Sequence, residues 1–161
     1  MLSNTKIRNL EYLGIDISET YLGIARVAFP QLSFQNVDFS SKSVDLKELN
    51  SDITIISATF EHILDWKTAL SNIIESTTTL IIMRTFIGNE FKQEYCNKPR
   101  AVDSYLIQQF KYQQIADVAA SNGFRIEMEI DLATLGTPKI VCESPRIIRS
   151  QQVLVLAKVQ P

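Results

Sequence analysis

The chain has 161 residues, of which 45% are hydrophobic and 21% are charged, and this composition predicts one domain with a core of ordinary size. Its 16 basic and 18 acidic residues give a net charge of −2, which argues against a chain that grips nucleic acid through its phosphates. No apolar run approaches the roughly 20 residues that a membrane helix needs, and the N-terminal segment lacks the apolar core of a signal peptide. We therefore expect a single cytoplasmic domain over residues 1–161.

The two cysteines, Cys96 and Cys142, stand far apart in the sequence. There is no Cys-x-x-Cys motif and no histidine near either of them, so the spacing predicts neither a disulfide framework nor a metal site. We expect two buried or idle thiols in a reducing compartment.

Residues 12–16 form a short apolar run that ends on Asp16. The apolar residues do not alternate with polar ones, as is typical of a parallel strand that is covered on both faces. A carboxylate at the carboxyl edge of such a strand can accept hydrogen bonds from ribose hydroxyls. The alternative is that it only interacts favourably with the positive N-terminal end of the next helix. Ser18 is a predicted N-cap for a helix that stops before Pro30.

The next segments repeat this alternation of strands and helices. In residues 32–38 apolar and polar side chains alternate with period two, which predicts a second strand that ends on Asp38. Residues 52–57 are β-branched and apolar and predict a third, interior strand, and residues 78–83 predict a fourth. Apolar residues at helical spacing follow Phe60 and predict an amphipathic crossover helix. The alternation indicates a parallel sheet with helices packed on both of its faces.

The C-terminal half predicts a long loop, a helix and two strands. We expect the loop over residues 84–105, followed by a helix that includes Ile107 and Phe110 and ends at Asn122 and Gly123. Apolar and polar side chains alternate over residues 124–131, which predicts an edge strand with one solvent-exposed face. Residues 152–158 are predicted to form the last strand. No helix separates these two strands, so they are predicted to form a hairpin with one antiparallel strand.

Taken in order, these segments resemble the class I S-adenosylmethionine-dependent methyltransferases. Residues 14–18 are similar to that family's second-strand motif, residues 29–39 to its third strand, and residues 52–63 to its fourth strand and the start of the following helix. The closing pair of strands resembles the sixth and seventh strands of the family. The resemblance implies an α/β fold with a mostly parallel, Rossmann-like sheet, helices on both faces and one antiparallel strand near the C-terminus.

The resemblance implies S-adenosyl-L-methionine as the cofactor and a small molecule as the methyl acceptor. It places the cofactor against strand ends and the residues just beyond them: Asp16 and Ile17 at the ribose, Asp38 and Phe39 at the adenine, and Ser57, Ala58 and Thr59 beside the transferred methyl group. The lone histidine, His62, is a candidate general base, and a partly exposed helical histidine is the competing interpretation. Four aromatic residues could frame the acceptor or anchor the core: Trp66, Phe86, Phe91 and Tyr95.

One part of the family pattern is missing from the sequence. The family opens with a strand and a glycine-rich turn, and the five glycines here, at positions 14, 23, 88, 123 and 136, show no Gly-x-Gly-x-x-Gly spacing. The resemblance therefore implies an N-terminally incomplete methyltransferase domain whose two inner strands lack a neighbour. The two strands could close on each other, a second copy or a partner chain could complete the sheet, or the chain could fold poorly.

Two alternatives to a methyltransferase remain open at this stage. The chain could be a non-catalytic interaction protein that binds a partner or itself through the open sheet. It could also be a nucleotide-binding α/β protein of another family that uses Asp16 for ribose.

Overall fold

A computed structural model describes residues 10–46, 48–97 and 104–159 of the chain. These residues belong to two compact units, Met1–Asp38 and Phe39–Pro161. The single domain expected from the sequence stays a prediction.

The first unit is a strand, a helix and a second strand. Strand β1 spans Leu13–Asp16, helix α1 spans Glu19–Ala28, and strand β2 spans Ser33–Asn36. The two strands pair in parallel, with Asp16 opposite Asn36. Ser18 caps the helix, because its Oγ accepts a hydrogen bond of 3.4 Å from the backbone N–H of Tyr21. The predicted first strand, helix and Ser18 cap are confirmed, while the second strand ends at Asn36, two residues before the predicted end at Asp38.

The second unit contains two α-helices and eight strands among the described residues. Helix α2 spans Trp66–Glu75 and helix α3 spans Tyr112–Ser121. The strands are β3 (Ser51–Ser57), β4 (Thr77–Gly88), β5 (Lys92–Cys96), β6 (Tyr105–Lys111), β7 (Phe124–Ile130), β8 (Lys139–Cys142), β9 (Ile147–Arg149) and β10 (Gln151–Lys158). In the described part of the chain, no helix is long and apolar enough to cross a membrane.

The main sheet of this unit is mixed. Strands β3 and β4 pair in parallel, and β10 lies antiparallel between β4 and β7, as the predicted closing hairpin requires. Strand β6 pairs in parallel with the end of β4, and β5 pairs antiparallel with β6. Four of the six described strands of this sheet, β3, β4, β6 and β7, run in the same direction, because β4 and β7 both lie antiparallel to β10. The expectation of a mostly parallel sheet with one antiparallel strand near the C-terminus is therefore confirmed in part: β10 is that strand, and β5 is a second antiparallel strand that the sequence pattern did not indicate.

The core of the second unit lies on one face of the main sheet. Helices α2 and α3 contact each other and cover side chains of β4 and β10 that are fully buried, namely Ile81, Met83, Leu154 and Leu156. On the opposite face of β3, Ile53 and Ile55 are 53% and 71% exposed. Both described α-helices of this unit pack on the same face, and the expectation of helices on both faces of the sheet, which included α1 of the first unit, stays a prediction. Strand β3 also pairs with β4 alone, so the strand predicted to be interior lies at an edge of the described sheet.

The segment predicted as a long loop, residues 84–105, is largely strand over its described residues, 84–97 and 104–105. Strand β4 continues to Gly88, and the polar residues Arg84 and Thr85 stay inside it because Asp131 and Glu61 accept their hydrogen bonds. Beyond it, Ile107 and Phe110 lie in β6, and helix α3 begins only at Tyr112. The predicted end of that helix is confirmed, since Gly123 follows it with a φ of 74°.

Cys96 and Cys142 form a disulfide, so the expectation of two free thiols is wrong. Their Cα atoms are 5.8 Å apart although 46 residues separate them in the sequence. The bond joins β5 to β8, and an ion pair between Arg149 and Glu94 joins β9 to β5. Because disulfides are rare in reducing compartments, the cytoplasmic location stays a prediction.

Candidate functional site

Asp16 is the last residue of β1 and stands at the carboxyl end of the parallel pair in the first unit. Its Oδ1 accepts a hydrogen bond of 2.7 Å from the N–H of Ser18, and its carbonyl accepts one of 3.2 Å from the N–H of Val37. These bonds fix the carboxylate at the strand end. Among the described residues, Oδ2 has no hydrogen-bond partner, so this oxygen can accept from a ligand hydroxyl.

A cavity of about 220 Å³ lies beside Asp16 within the first unit. It is lined by residues of β1, β2 and α1, namely Tyr12, Gly14, Ile15, Asp16, Tyr21, Leu22, Ala25 and Phe34. A Cβ on Gly14 would lie 2.5 Å from Cδ1 of Phe34, so only glycine lets the phenylalanine ring rest against β1. The rings of Tyr12 and Phe34 meet edge to face, with their centroids 6.1 Å apart. The cavity therefore combines one carboxylate with aromatic walls.

Asp38 and Phe39 follow β2 and belong to different units. Asp38 lies two residues beyond the end of β2, and because β1 and β2 are parallel it follows the same carboxyl edge at which Asp16 stands. Phe39 packs against the main core of the second unit, and its carbonyl accepts a hydrogen bond of 2.7 Å from Asn72. Ile17 is 66% exposed. In this structure Phe39 thus has a packing role of its own.

Ser57, Ala58 and Thr59 form a tight turn at the carboxyl end of β3. Ala58 has a φ of 54°, which is costly for a residue with a Cβ, and its N–H donates a hydrogen bond of 3.1 Å to the carbonyl of Arg84. Thr59 Oγ1 donates one of 3.2 Å to the carbonyl of Ser57. Backbone strain of this kind is often found at functional sites, and here it marks the turn that the resemblance placed beside the methyl group.

Glu61 is a buried acid that the sequence reasoning did not single out. It lies in a short 3-10 helix, Phe60–His62, and is only 1% exposed. Burial raises the pKa of its carboxyl above the ordinary value, although Thr85 Oγ1 donates a hydrogen bond of 3.2 Å to Oε2 and so opposes the shift. No local pattern reveals this residue, because its burial depends on β4 and β6 closing over the turn.

His62 ends the same 3-10 helix and is exposed. Its Nδ1 lies 2.6 Å from the carbonyl oxygen of Leu106 on β6, and its ring meets Tyr105 edge to face at 5.6 Å. Its backbone N–H donates a hydrogen bond of 3.0 Å to the carbonyl of Thr59. The structure therefore brings His62 and the Ser57 to Thr59 turn together.

The four aromatic residues that could frame an acceptor divide into two pairs. Trp66 and Phe86 are 6% and 5% exposed and lie in the two cores of the second unit, so they are anchors. Phe91 and Tyr95 are 37% and 51% exposed, although Phe91 also packs against Trp66. Only the second pair is available to a ligand.

Solved structures of S-adenosylmethionine-dependent methyltransferases share this architecture. A protein from Methanosarcina mazei is similar with a TM-score of 0.67 and 12% identity, over 92% of this chain and 82% of that one. A protein from Clostridium acetobutylicum gives a TM-score of 0.64 and 10% identity, over 94% and 76%. The 1,6-didemethyltoxoflavin-N1-methyltransferase of Burkholderia thailandensis was solved with 1,6-didemethyltoxoflavin and S-adenosylhomocysteine bound. It gives a TM-score of 0.55 and 14% identity, over 92% of this chain and 61% of that one.

No protein-family model matches the chain, and no curated protein matches it. At such low identities the structural similarity concerns the fold alone. The strand order β3-β4-β10-β7, with β10 antiparallel, agrees with the closing strands that the sequence resemblance implied. The chain has the fold of the class I S-adenosylmethionine-dependent methyltransferases.

Proposed function

We propose that this chain binds S-adenosylmethionine and transfers its methyl group to a small-molecule acceptor. The observation that carries the proposal is the cavity beside Asp16, at the carboxyl edge of two parallel strands. Structures of the same fold were solved with S-adenosylmethionine or S-adenosylhomocysteine bound. The alternative of a purely structural carboxylate explains the hydrogen bond to Ser18 but not the aromatic cavity.

The residues present fit the nucleoside half of the cofactor. Oδ2 of Asp16 would accept from the ribose hydroxyls, with Ile17 beside them, and the aromatic walls of the cavity suit a flat heterocycle. Asp38 and Phe39, the adenine contacts that the resemblance implies, do not line this cavity, so we propose that they meet a part of the cofactor that extends beyond it. The cavity, at about 220 Å³, is smaller than the roughly 300 Å³ at which ligand sites usually begin, so it would hold part of the cofactor.

Methyl transfer requires mainly that the protein hold the cofactor and the acceptor in the right relative position. The bound cofactor supplies an electrophilic methyl group on a sulfonium, and the protein holds the acceptor in line with it. We propose that Ser57, Ala58 and Thr59 form the wall against which the acceptor is aligned. The strained backbone at Ala58 supports this role, because hydrogen bonds on both sides hold the turn in one shape.

Isothermal titration with S-adenosylmethionine and S-adenosylhomocysteine tests the proposal. We expect binding in the micromolar range, weakened at least about tenfold by Asp16→Asn, which keeps the size of the side chain and removes its charge. Glu19→Gln is the matched control, because Glu19 is exposed on α1 and outside the cavity lining. Absence of binding up to millimolar concentration would overturn the proposed function.

We further propose that a second copy or a partner chain completes the sheet at β3. Edge strands normally carry charges or proline, whereas residues 53–56 of β3 read Ile-Thr-Ile-Ile. Ile53 and Ile55 are exposed, and β4 is the one described strand that pairs with β3. The non-catalytic interaction protein considered from the sequence would use the same edge, and the titration above separates the two readings.

A further inference from the structure

The hairpin formed by β8 and β9 is separate from the main sheet of the second unit. Its strands pair with each other, and among the described residues neither pairs with a strand of the main sheet. The hairpin lies in the connection between β7 and β10, which passes Leu135 and Gly136 on one side and Ser150 on the other. Leu135 and Gly136 have φ values of 51° and 66°, so the backbone turns sharply there. Short segments of this kind are the places at which a hairpin can rotate as a unit.

Side chains attach the hairpin to the rest of the second unit. Ile147 of β9 is buried and packs with Phe86 of β4 and Ile107 of β6. Tyr105 Oη donates a hydrogen bond of 3.1 Å to the carbonyl of Val141. The disulfide between β5 and β8 lies in the same group of buried side chains. We call this group the second core: Phe86, Cys96, Ile107, Cys142 and Ile147.

Arg149 makes the closed position of the hairpin unfavourable in part. Its side chain is only 6% exposed, its Nη2 pairs with Glu94 on β5, and its Nη1 donates a hydrogen bond of 2.8 Å to the carbonyl of Ile148. Its Nε is buried and has no hydrogen-bond partner among the described residues. Burial lowers the pKa of this guanidinium, because its charge loses hydration. Water would satisfy every donor of Arg149 if the hairpin opened, so opening removes a desolvation cost.

We propose that the Cys96–Cys142 disulfide locks this hairpin over the second core, and that reduction by a dithiol lets the hairpin open as a unit. The dithiol supplies two electrons and two protons: the bond between the two Sγ atoms breaks, both cysteines become thiols, and the sulfurs of the reductant join in a new disulfide. Opening then hydrates Arg149 and exposes the apolar side chains of the second core. The oxidised chain is the closed form and the reduced chain the open form. This inference does not depend on the proposed methyl transfer.

Alkylation of the reduced, folded chain with iodoacetamide tests the opening, because Cys96 and Cys142 are only 3% and 5% exposed while the hairpin is closed. The rate is measured at increasing urea concentrations below the unfolding midpoint. Local opening exposes little surface, so we expect the rate to change by less than about twofold, whereas global unfolding would raise it with the full m-value of the chain. A slope equal to that m-value, or no alkylation of the folded chain, would overturn the proposal.

Trypsin cleavage after Arg149 tests the lock, since the side chain of Arg149 is accessible only when the hairpin opens. The double variant Cys96→Ala and Cys142→Ala replaces the reductant, so that the protease keeps its own disulfides. We expect cleavage after Arg149 to be at least about tenfold faster in the variant than in oxidised wild type, and to precede cleavage after Arg84 in the main sheet. Equal rates at Arg149 in the two chains, or cleavage at both sites at one rate, would overturn the lock.

Glu94→Gln tests whether Arg149 moves with the hairpin. The variant leaves the buried guanidinium without its charged partner in the closed form, so we expect alkylation of the reduced chain to become at least about fivefold faster. Glu90→Gln is the matched control, because Glu90 is exposed between β4 and β5 and forms no ion pair with the residues that the structure describes. The same alkylation rate in wild type and both variants would mean that Arg149 stays in place, and it would overturn opening as a unit.

Discussion

Arg84 and Asp131 form an ion pair in the second unit: Nη2 of the arginine lies 3.0 Å from Oδ2 of the aspartate. Arg84 lies on β4, and Asp131 begins the turn after β7, where its side chain is 5% exposed. Thr134 donates a further hydrogen bond of 2.6 Å to Oδ2. Strand β10 lies between β4 and β7, so this pair closes the end of three strands.

Asp131→Asn should destabilise the chain by roughly 1–3 kcal/mol at neutral pH, because a buried donor loses its charged acceptor. The hydrogen bonds from Arg84 and Thr134 lower the pKa of Asp131 from 3.8 to about 2. The stabilisation is therefore fully present above 3.8 and is lost as the pH falls through about 2. Urea unfolding of wild type and Asp131→Asn across this pH range measures the stabilisation. If the difference between their free energies of unfolding stayed unchanged at low pH, the ionised Asp131 carboxylate would not be its source.

Glu61→Gln should change the pH dependence of the free energy of unfolding in the opposite sense to Asp131→Asn. Burial raises the pKa of Glu61 above 4.5, so its folded form holds the proton more tightly than the unfolded chain does. Wild-type stability from this group is present below 4.5 and is lost as the pH rises through the folded pKa. The neutral amide should thus be more stable than wild type at alkaline pH. The thermal unfolding midpoints of wild type and variant, measured from acidic to alkaline pH, check this. The same dependence of the midpoint on pH in both proteins would refute it.

Local sequence signals were sufficient where the structure itself is local. The strand and helix of the first unit follow from one apolar run and the Ser18 cap, and Gly123 ends α3 where a left-handed residue is needed. The period-two pattern of β7 and the apolar run of β10 likewise predicted two adjacent antiparallel strands. In these cases the residues that decide the conformation lie within one turn or one strand.

The failures share a dependence on distant residues. Arg84 and Thr85 look like loop residues until Asp131 and Glu61, which lie outside any local window, accept their hydrogen bonds. The Cys96 and Cys142 pair joins segments 46 residues apart, and no spacing rule reveals it. The same holds for the candidate site: Asp16 and His62 could be named from the sequence, but the cavity beside Asp16 and the contact of His62 with Leu106 depend on residues far away in the chain.

Two glycine substitutions should have opposite effects. Gly23→Ala should stabilise α1 by about 1 kcal/mol, since nothing lies within 4 Å of the added Cβ and alanine is the better helix former. Gly123→Ala should destabilise by about 1–2 kcal/mol, because its φ of 74° penalises a Cβ even though the nearest atom, Nζ of Lys158, is 3.7 Å away. Helicity and urea midpoints of the two variants check both signs, and a stabilised Gly123→Ala chain would show that the turn is not left-handed.

Reduction of the Cys96 and Cys142 bond should cost about 4 kcal/mol by the loop-closure estimate for 46 residues. Thiol titration of the unfolded chain should detect two thiols only after reduction, because the structure has no other cysteines. The double variant Cys96→Ala and Cys142→Ala is the control, and its unfolding midpoint should no longer respond to dithiothreitol. Two titratable thiols before reduction would mean that the pair is not oxidised in the purified protein.

Ile55→Lys should weaken association through the open edge of β3 by about tenfold or more, because a charge on an edge strand opposes pairing with another strand. Ile55 is 71% exposed, so the lysine adds no buried charge and the fold should persist. Sedimentation velocity over a concentration series measures the change, with wild type associating and Ile55→Lys remaining monomeric. Leu64→Lys is the matched control, since Leu64 is 63% exposed and lies outside the strands. Equal association of both variants and wild type would exclude this edge as the contact, and a monomeric wild type would exclude a second copy of this chain as the element that completes the sheet.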